Sequence, residues 1–311
     1  MCVIGMKILD IKLTYNCNNH CQLCCQEDQI KNRESTIAES AIFDYIKSIP
    51  QKEIGNIKVV LTGGEPTLHP SILQIIRRMR DAGVKVIQLQ SNITLKSLSI
   101  SIEDLVDAGV TSFGISLHGS TAEMHESFTK TEDSFKNTVN NLQKLSQLGI
   151  PVVLNCVISI YNVDYLSEIV EFVAQHKLAS NIQFAFMHIT GRADSHHNLI
   201  PKMSTAAKAV HKAIILANRY GINIKSEAIP FCLMPGFERN VAEIEKLDDI
   251  TILDKIGIMN FSECRGTNLK IKREECKQCL FYSMCEGPWV EYPGLLGWKE
   301  FIPVRSVKAN G

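Results

Sequence analysis

The sequence has no excess of either charge. Its 311 residues carry 33 Lys plus Arg against 33 Asp plus Glu. A balanced chain has no electrostatic footprint for nucleic acid or for an anionic membrane surface, so neither is an expected partner. No apolar run approaches the ~20 residues that a membrane-spanning helix needs. A secretory signal is missing as well: Met1 to Gly5 is not a basic segment, and Lys7 to Thr14 alternates instead of forming an apolar core. There is no low-complexity tract and no repeat longer than a strand–helix unit. Together these absences point to a cytoplasmic protein with reduced thiols.

What the chain does have is cysteine, eleven in all, clustered towards its two ends. In a small secreted chain such a number would suggest disulfides; in a long chain without a signal it suggests metal–sulfur chemistry. The first cluster is Cys17, Cys21 and Cys24, spaced C-x3-C-x2-C directly after the alternating run Lys7 to Thr14. Thiolates are soft ligands suited to zinc or to an iron–sulfur cluster. A structural zinc usually takes four protein ligands. A 4Fe–4S cube held by only three thiolates leaves one iron open to a small molecule.

The rest of the chain has a strand–helix rhythm. Strands are expected at Lys7 to Thr14, Ile57 to Leu61, Val84 to Gln90, Val110 to Leu117, Pro151 to Ser159, Asn181 to Met187 and Ile222 to Lys225. The intervening helices include Thr36 to Ile49, where Thr36 and Glu39 form a capping-box pattern, and one that Pro70 opens and that ends near Ala82. Further helices are read at Ser134 to Leu148, Asn162 to His176 and Met203 to Tyr220. Gly83, Gly109, Gly149 and Gly221 each end a helix just before a strand, where a left-handed cap suits glycine. Thr190 to Ile200 reads as a loop. Strands alternating with helices imply a parallel sheet with right-handed crossovers. The expected fold class is α/β, a partial (β/α)6 TIM-like barrel over residues 1–220. A small cysteine-rich module over 221–311 carries a short helix near Phe237 to Leu247.

Gly63, Gly64, Glu65 and Pro66 follow the second strand, so the two motifs lie on loops at the C-terminal ends of successive parallel strands, where such folds place their sites. This pairing resembles the radical S-adenosylmethionine superfamily over roughly residues 7 to 190. The resemblance implies that Cys17, Cys21 and Cys24 hold a 4Fe–4S cluster and that Gly63, Gly64, Glu65 and Pro66 meet the amino group of S-adenosylmethionine. An electron from the reduced cluster would then release a 5′-deoxyadenosyl radical that abstracts a substrate hydrogen atom. Ser91, Asn92, Ser116 and Asn155, in or at the ends of the third, fourth and fifth strands, match positions of polar contact to the nucleotide. For each, a satisfied turn or core polar group is the alternative. Before the third cysteine, where that superfamily often has an aromatic residue, this chain has Leu23. His118, His125, His188, His196 and His197 read as loop or surface residues.

The second thiol group is Cys276, Cys279 and Cys285, with Cys232 and Cys264 upstream. Its C-x2-C-x5-C spacing resembles the C-terminal auxiliary-cluster modules called SPASM and twitch. Where the full SPASM pattern continues with cysteine, this chain has Trp289. The resemblance therefore implies one auxiliary 4Fe–4S cluster of the twitch type, with Cys232 preferred over Cys264 as the fourth ligand. A structural zinc knuckle uses similar spacing. Cys264, if not a ligand, could donate a hydrogen atom to a substrate radical. Cys156 reads as a buried structural thiol, while Cys2 and Cys25 carry no cluster.

Enzymes of this kind modify ribosomal peptides or oxidise or epimerise sugars and aminoglycosides, and draw electrons from a reductase such as flavodoxin or ferredoxin. The expected substrate is a peptide, undergoing epimerisation or crosslinking. Because the first strand begins near Lys7, no leader-binding domain is expected before it, which keeps a small-molecule dehydrogenase or epimerase open. A non-catalytic zinc-binding protein is the alternative of another class.

Overall fold

In a computed structural model, residues 7–26, 36–95, 99–244 and 250–305 are described. Seven parallel strands stand in chain order: β1 (Lys7–Thr14), β2 (Ile57–Gly63), β3 (Val86–Ser91), β4 (Ser112–Ser116), β5 (Val152–Ile158), β6 (Asn181–Phe186) and β7 (Asn223–Glu227). The helices packed outside them are α1 (Glu39–Ser48), α2 (Ile72–Asp81), α3 (Ile102–Ala108), α4 (Ala122–Thr129), α5 (Ser134–Gln147), α6 (Leu166–Gln175) and α7 (Met203–Tyr220). This is the expected partial TIM-like barrel. Burial alternates along its strands: on β5, Leu154, Cys156 and Ile158 are buried against helices, while Val153, Asn155 and Val157 line the half-open interior. Gly83, Gly109, Gly149 and Gly221 all take positive φ (102°, 123°, 67° and 68°), which lets each helix hand over to a strand without a Cβ clash.

The sheet does not stop at seven strands. β8 (Ile250–Leu253) pairs in parallel with β1, and β9 (Ile258–Asn260) folds back antiparallel on β8. The full order is β7-β6-β5-β4-β3-β2-β1-β8-β9. Residues of the cysteine-rich stretch therefore extend the sheet at both ends.

Several local expectations need correction. The pair Thr36 and Glu39 makes no capping box: α1 starts at Glu39 with Ala38 before it, and the Thr36 hydroxyl pairs instead with Thr14 Oγ1 at 3.1 Å. Thr36 is drawn into a bridge with Thr14, and Glu39 into an ion pair with Arg78 at 3.0 Å. A capping box does form at Ser101 and Asp104. Pro70 does not enter a helix; α2 begins at Ile72. The helix expected near Phe237 to Leu247 is replaced by short 3-10 turns at Glu238–Asn240 and Ala242–Ile244, with 245–247 outside the described residues. Cys2 lies outside them too. Among the described residues, no helix is long and apolar enough to cross a membrane.

Candidate functional site at the barrel mouth

The loop after β1 is fixed by its neighbours before any cofactor is considered. Gly64 N–H donates to Thr14 O and Glu65 N–H to Asn16 O, both at 2.7 Å. These two bonds bring the β2 loop so close that a Cβ on Gly64 would lie 2.4 Å from Asn16 O and 2.5 Å from Tyr15 O. Gly63, at φ +130°, has even less room, with Thr14 O 2.1 Å from where its Cβ would be. The motif glycines are there because backbone passes backbone.

Glu65 is fully buried and holds the next loop. Its Oε1 accepts from Thr67 N–H (3.0 Å), Thr67 Oγ1 (2.6 Å) and Ser91 Oγ (2.8 Å), and its Oε2 from Asn92 N–H (2.8 Å). Burial pushes its pKa up, against the pull of these four donors. Its carboxylate thus ties the β2 loop to the end of β3. Asn92 carries the chain of contacts onward: Nδ2 donates to Asn18 Oδ1 at 2.7 Å and lies 3.8 Å from Cys17 Sγ. Asn19 N–H donates to the same sulfur at 3.4 Å.

Two further elements grip the cysteine loop, and the sequence signalled neither. The end of α4 accepts His20 N–H at Thr129 O (2.9 Å) and Gln22 N–H at Phe128 O (3.1 Å). After β6, Arg192 N–H donates to Cys24 O (2.9 Å), and its guanidinium to Cys21 O (3.2 Å). Gly191 makes that approach feasible, because a Cβ there would sit 2.7 Å from Cys24 O.

The structure brings Cys17, Cys21 and Cys24 together: beyond burial, Cys24 raises the pKa of Cys17, and Cys17 and Cys24 raise that of Cys21. Burial dominates, and pushes the Cys17 thiol up to about 12. Thiols that resist ionising together are a donor set that a multivalent metal centre discharges, releasing protons as it binds. Among the described residues, no three Cys, His, Asp or Glu side chains converge tightly enough for a single metal ion. A tetrahedral zinc would want its thiolates ~3.8 Å apart. Cys25, next in the chain, is exposed to solvent. Leu23 is packed into the core at 4% exposure.

Ser116 and Asn155 are register partners on β4 and β5. Asn155 Oδ1 is buried with no hydrogen-bond partner among the described residues. An orphaned acceptor on the interior face is what a donor group of a bound molecule would satisfy. Deeper in, Asp10 accepts from Thr62 Oγ1 (2.5 Å) and pairs with Lys12 (2.9 Å), and Gln183 donates to Glu227 (2.6 Å). The interior is polar on both sides.

At the far end of the mouth, Cys232 follows β7. Burial, and after it the nearby Cys285, Cys279 and Cys276, push its thiol up to about 12. These four thiols therefore form a second set. Cys264 closes a helical turn, Phe261–Cys264. His188 is no lone histidine: its ring stacks on Trp289 at 4.3 Å and contacts Glu291 at 3.0 Å. His125, on α4, and His118, against which it stacks, are buried, not at the surface.

Fold and loop define a class first: a parallel partial barrel with a three-thiol loop at its C-terminal mouth. The sequence profile of the Radical SAM superfamily matches residues 11–173, and the chain belongs to that superfamily, whose members use a 4Fe–4S cluster and S-adenosylmethionine. The AdoMet-dependent heme synthase of Methanosarcina barkeri is 29% identical over 198 residues, 63% of this chain and 54% of that protein. The probable GTP 3',8-cyclase of Sulfurisphaera tokodaii is 30% identical over 174 residues, 55% of this chain and 54% of that protein. The chain thus spans about half the length of the curated relatives it matches. Among solved structures, Streptococcus suis SuiB bound to S-adenosylmethionine has a TM-score of 0.66 at 14% identity, covering 97% of this chain and 77% of SuiB. SuiB bound to precursor peptide SuiA has a TM-score of 0.64 at 15% identity, covering 90% of this chain and 71% of SuiB. At such identity the likeness is one of fold.

Proposed function

We propose that the chain is an enzyme that cleaves S-adenosylmethionine reductively and abstracts a hydrogen atom from a peptide, with Cys17, Cys21 and Cys24 holding a 4Fe–4S cluster. When bound, the cluster and the nucleotide supply the electron and the 5′-deoxyadenosyl radical. The observation that carries this reading is the wedge of Gly63 and Gly64 against the backbone of Thr14, Tyr15 and Asn16, which leads directly into the three-thiol loop. Asn92 Nδ2 and Asn19 N–H point at Cys17 Sγ and ease negative charge there. Glu65 ties its own loop, with Pro66, to Ser91 and Asn92 beside the three-thiol loop, while Ser116 and Asn155 offer acceptors from β4 and β5. Gly191 and Arg192 hold the loop down from the opposite side.

In this reading Cys232, Cys276, Cys279 and Cys285 hold one auxiliary 4Fe–4S cluster, and Cys264 stays free as a hydrogen-atom donor. The peptide substrate is supported by the extent of the likeness to SuiB, which includes the C-terminal module, and by the precursor peptide bound in one SuiB structure. A small polar molecule is the second reading, favoured by the hydrogen-bonding interior of Asp10, Lys12, Asn155, Gln183 and Glu227. A flavodoxin or ferredoxin would deliver the electron. Oxygen-protected, reconstituted protein given S-adenosylmethionine and dithionite is expected to yield 5′-deoxyadenosine and methionine. A fully assembled cluster that yields neither sinks the reading.

A further inference from the structure

Lys270 is the strangest charged residue in the molecule. Its side chain is 1% exposed, and its Nζ has no hydrogen-bond partner among the described residues. It lies 3.7 Å from the centroid of the Trp289 ring, on a backbone bridge that pairs the two residues. Glu243 approaches with one oxygen at 3.9 Å, while its other oxygen, Oε2, is buried and unpartnered among the described residues. Arg265 spans Glu286 (2.8 Å), Glu243 (2.9 Å) and Glu227 (3.7 Å). On Trp289 lies His188 with Glu291. Glu243 and Glu286 also line a small cavity together with Cys285 and Gly287, so the cluster reaches the second thiol set.

An electron added to a centre on those thiols would place negative charge in a low-dielectric region already holding three carboxylates against two cations. Coulomb energies there are several times those in water. Such a charge is stabilised most directly by a proton taken up nearby. We propose that Lys270 is a proton-accepting site for the second thiol centre, taking up one proton when that centre takes up one electron. This rests on the auxiliary cluster of the preceding reading. The electron comes from a one-electron reductant. The proton comes from solvent and joins the amine lone pair of Lys270; no other bond changes. Burial and Arg265 push the Lys270 amine down to about 8, against the pull of Glu243, Glu286 and Glu227, so the neutral amine is populated at mildly alkaline pH.

The test is a dithionite titration of the two-cluster protein, followed by electron paramagnetic resonance from about pH 6 to about pH 10. The second signal is assigned in a C17A/C21A/C24A chain. Its midpoint potential is expected to be flat below pH ~8. Above that it falls by up to about 59 mV for each tenfold drop in proton concentration, the one-electron equivalent. Lys270→Met flattens the profile. Lys270→Arg flattens it while keeping the cation, because guanidinium does not titrate below pH ~12, and so reports even where the Met variant fails to fold. His188→Gln keeps the slope, which excludes the neighbouring imidazole. A wild-type potential that ignores pH, or a slope that survives in Lys270→Arg, overturns this inference alone. About four irons per chain with no second signal would remove the auxiliary cluster and this inference together.

Discussion

The two thiol sets are built in opposite ways. The N-terminal set comes from one short loop, and backbone hydrogen bonds from β2, α4 and the segment after β6 hold that loop in place. Its geometry depends on glycines that have no room to be anything else. The C-terminal set is gathered from Cys232 and a distant stretch, Cys276 to Cys285, and beyond the strands β7 and β8, which join the sheet, its stretch after β9 is anchored by side chains. Trp289 Nε1 donates to Phe186 O (3.1 Å), Tyr292 OH accepts from Met203 N–H (2.7 Å), and Phe231 stacks on Phe281. Backbone fixation gives a loop that tolerates almost no substitution at its contact points. Side-chain anchoring gives a module whose position depends on a few large residues and buried charges.

Removing ligands gives the largest expected effect and tests whether the two sets are separate centres. Cys17→Ala should abolish 5′-deoxyadenosine formation and take about half of the ~8 irons expected for two cubes. Cys232→Ala should lose a similar amount of iron yet still cleave S-adenosylmethionine. Cys264→Ala should keep all iron, and turnover without it would end its role as a hydrogen-atom donor. Iron and sulfide analysis beside product chromatography reads all three. If Cys264→Ala instead loses iron, the ligand assignment moves from Cys232 to Cys264.

Next in size is the anchor. Trp289→Ala removes a large buried ring, a hydrogen bond to β6 and the surface under Lys270 and His188, a loss of roughly 3–5 kcal/mol. Limited proteolysis is expected to cut the module first, with nucleotide cleavage at the barrel largely retained. Equal loss at both centres would mean that the module also supports the N-terminal loop. The mirror experiment is Gly64→Ala. Its new methyl group meets the carbonyls of Tyr15 and Asn16, so the loop must shift, at about 1–3 kcal/mol. Iron at the first centre should fall while the second stays filled.

The same contrast explains what could be read from sequence. Strands β3, β4, β5 and β7 were legible because each apolar run begins just after a glycine that caps a helix, and β1, β2 and β6 because of their own apolar runs, signals carried by adjacent residues. The thiol loop and the Gly63-Gly64-Glu65-Pro66 segment were legible for the same reason. Cys232 was preferred over Cys264 because it follows a strand, and it lies with Cys276, Cys279 and Cys285. Interactions between distant residues stayed hidden. β8 and β9 are only four and three residues long, too short for a period to show. Arg192 meets the cysteine loop only through the curvature of the barrel. Lys270, Arg265, Glu243 and Trp289 are spread over a stretch with no helical or strand rhythm. The capping pattern at Thr36 failed because pairing with Thr14 drew that hydroxyl elsewhere.

The smallest expected effect concerns what lies under the first loop. α4 ends in the carbonyls that bind His20 and Gln22, and it packs through His125 on His118. His125 Nδ1 accepts from His118 N–H at 3.1 Å, and His118 Nδ1 accepts from Val157 N–H at 3.2 Å, so both rings serve as acceptors in their neutral forms. Burial lowers both, His125 to about 4 and His118 well below its ordinary value. Between the unfolded pKa of ~6.5 and pH ~4, the unfolded chain binds protons that the folded one refuses. Stability is therefore full above pH ~6.5 and erodes on acidification, by up to about 1.4 kcal/mol per pH unit for each imidazole. His125→Gln should reduce that slope in urea titrations at pH ~6.5 and pH ~5 by the share of one imidazole. Hydrogen exchange should show the N–H groups of His20 and Gln22 losing protection before those of the C-terminal module, because only the first loop stands on this pair. A module that loosens first under acid would place the weaker foundation at the other end of the barrel.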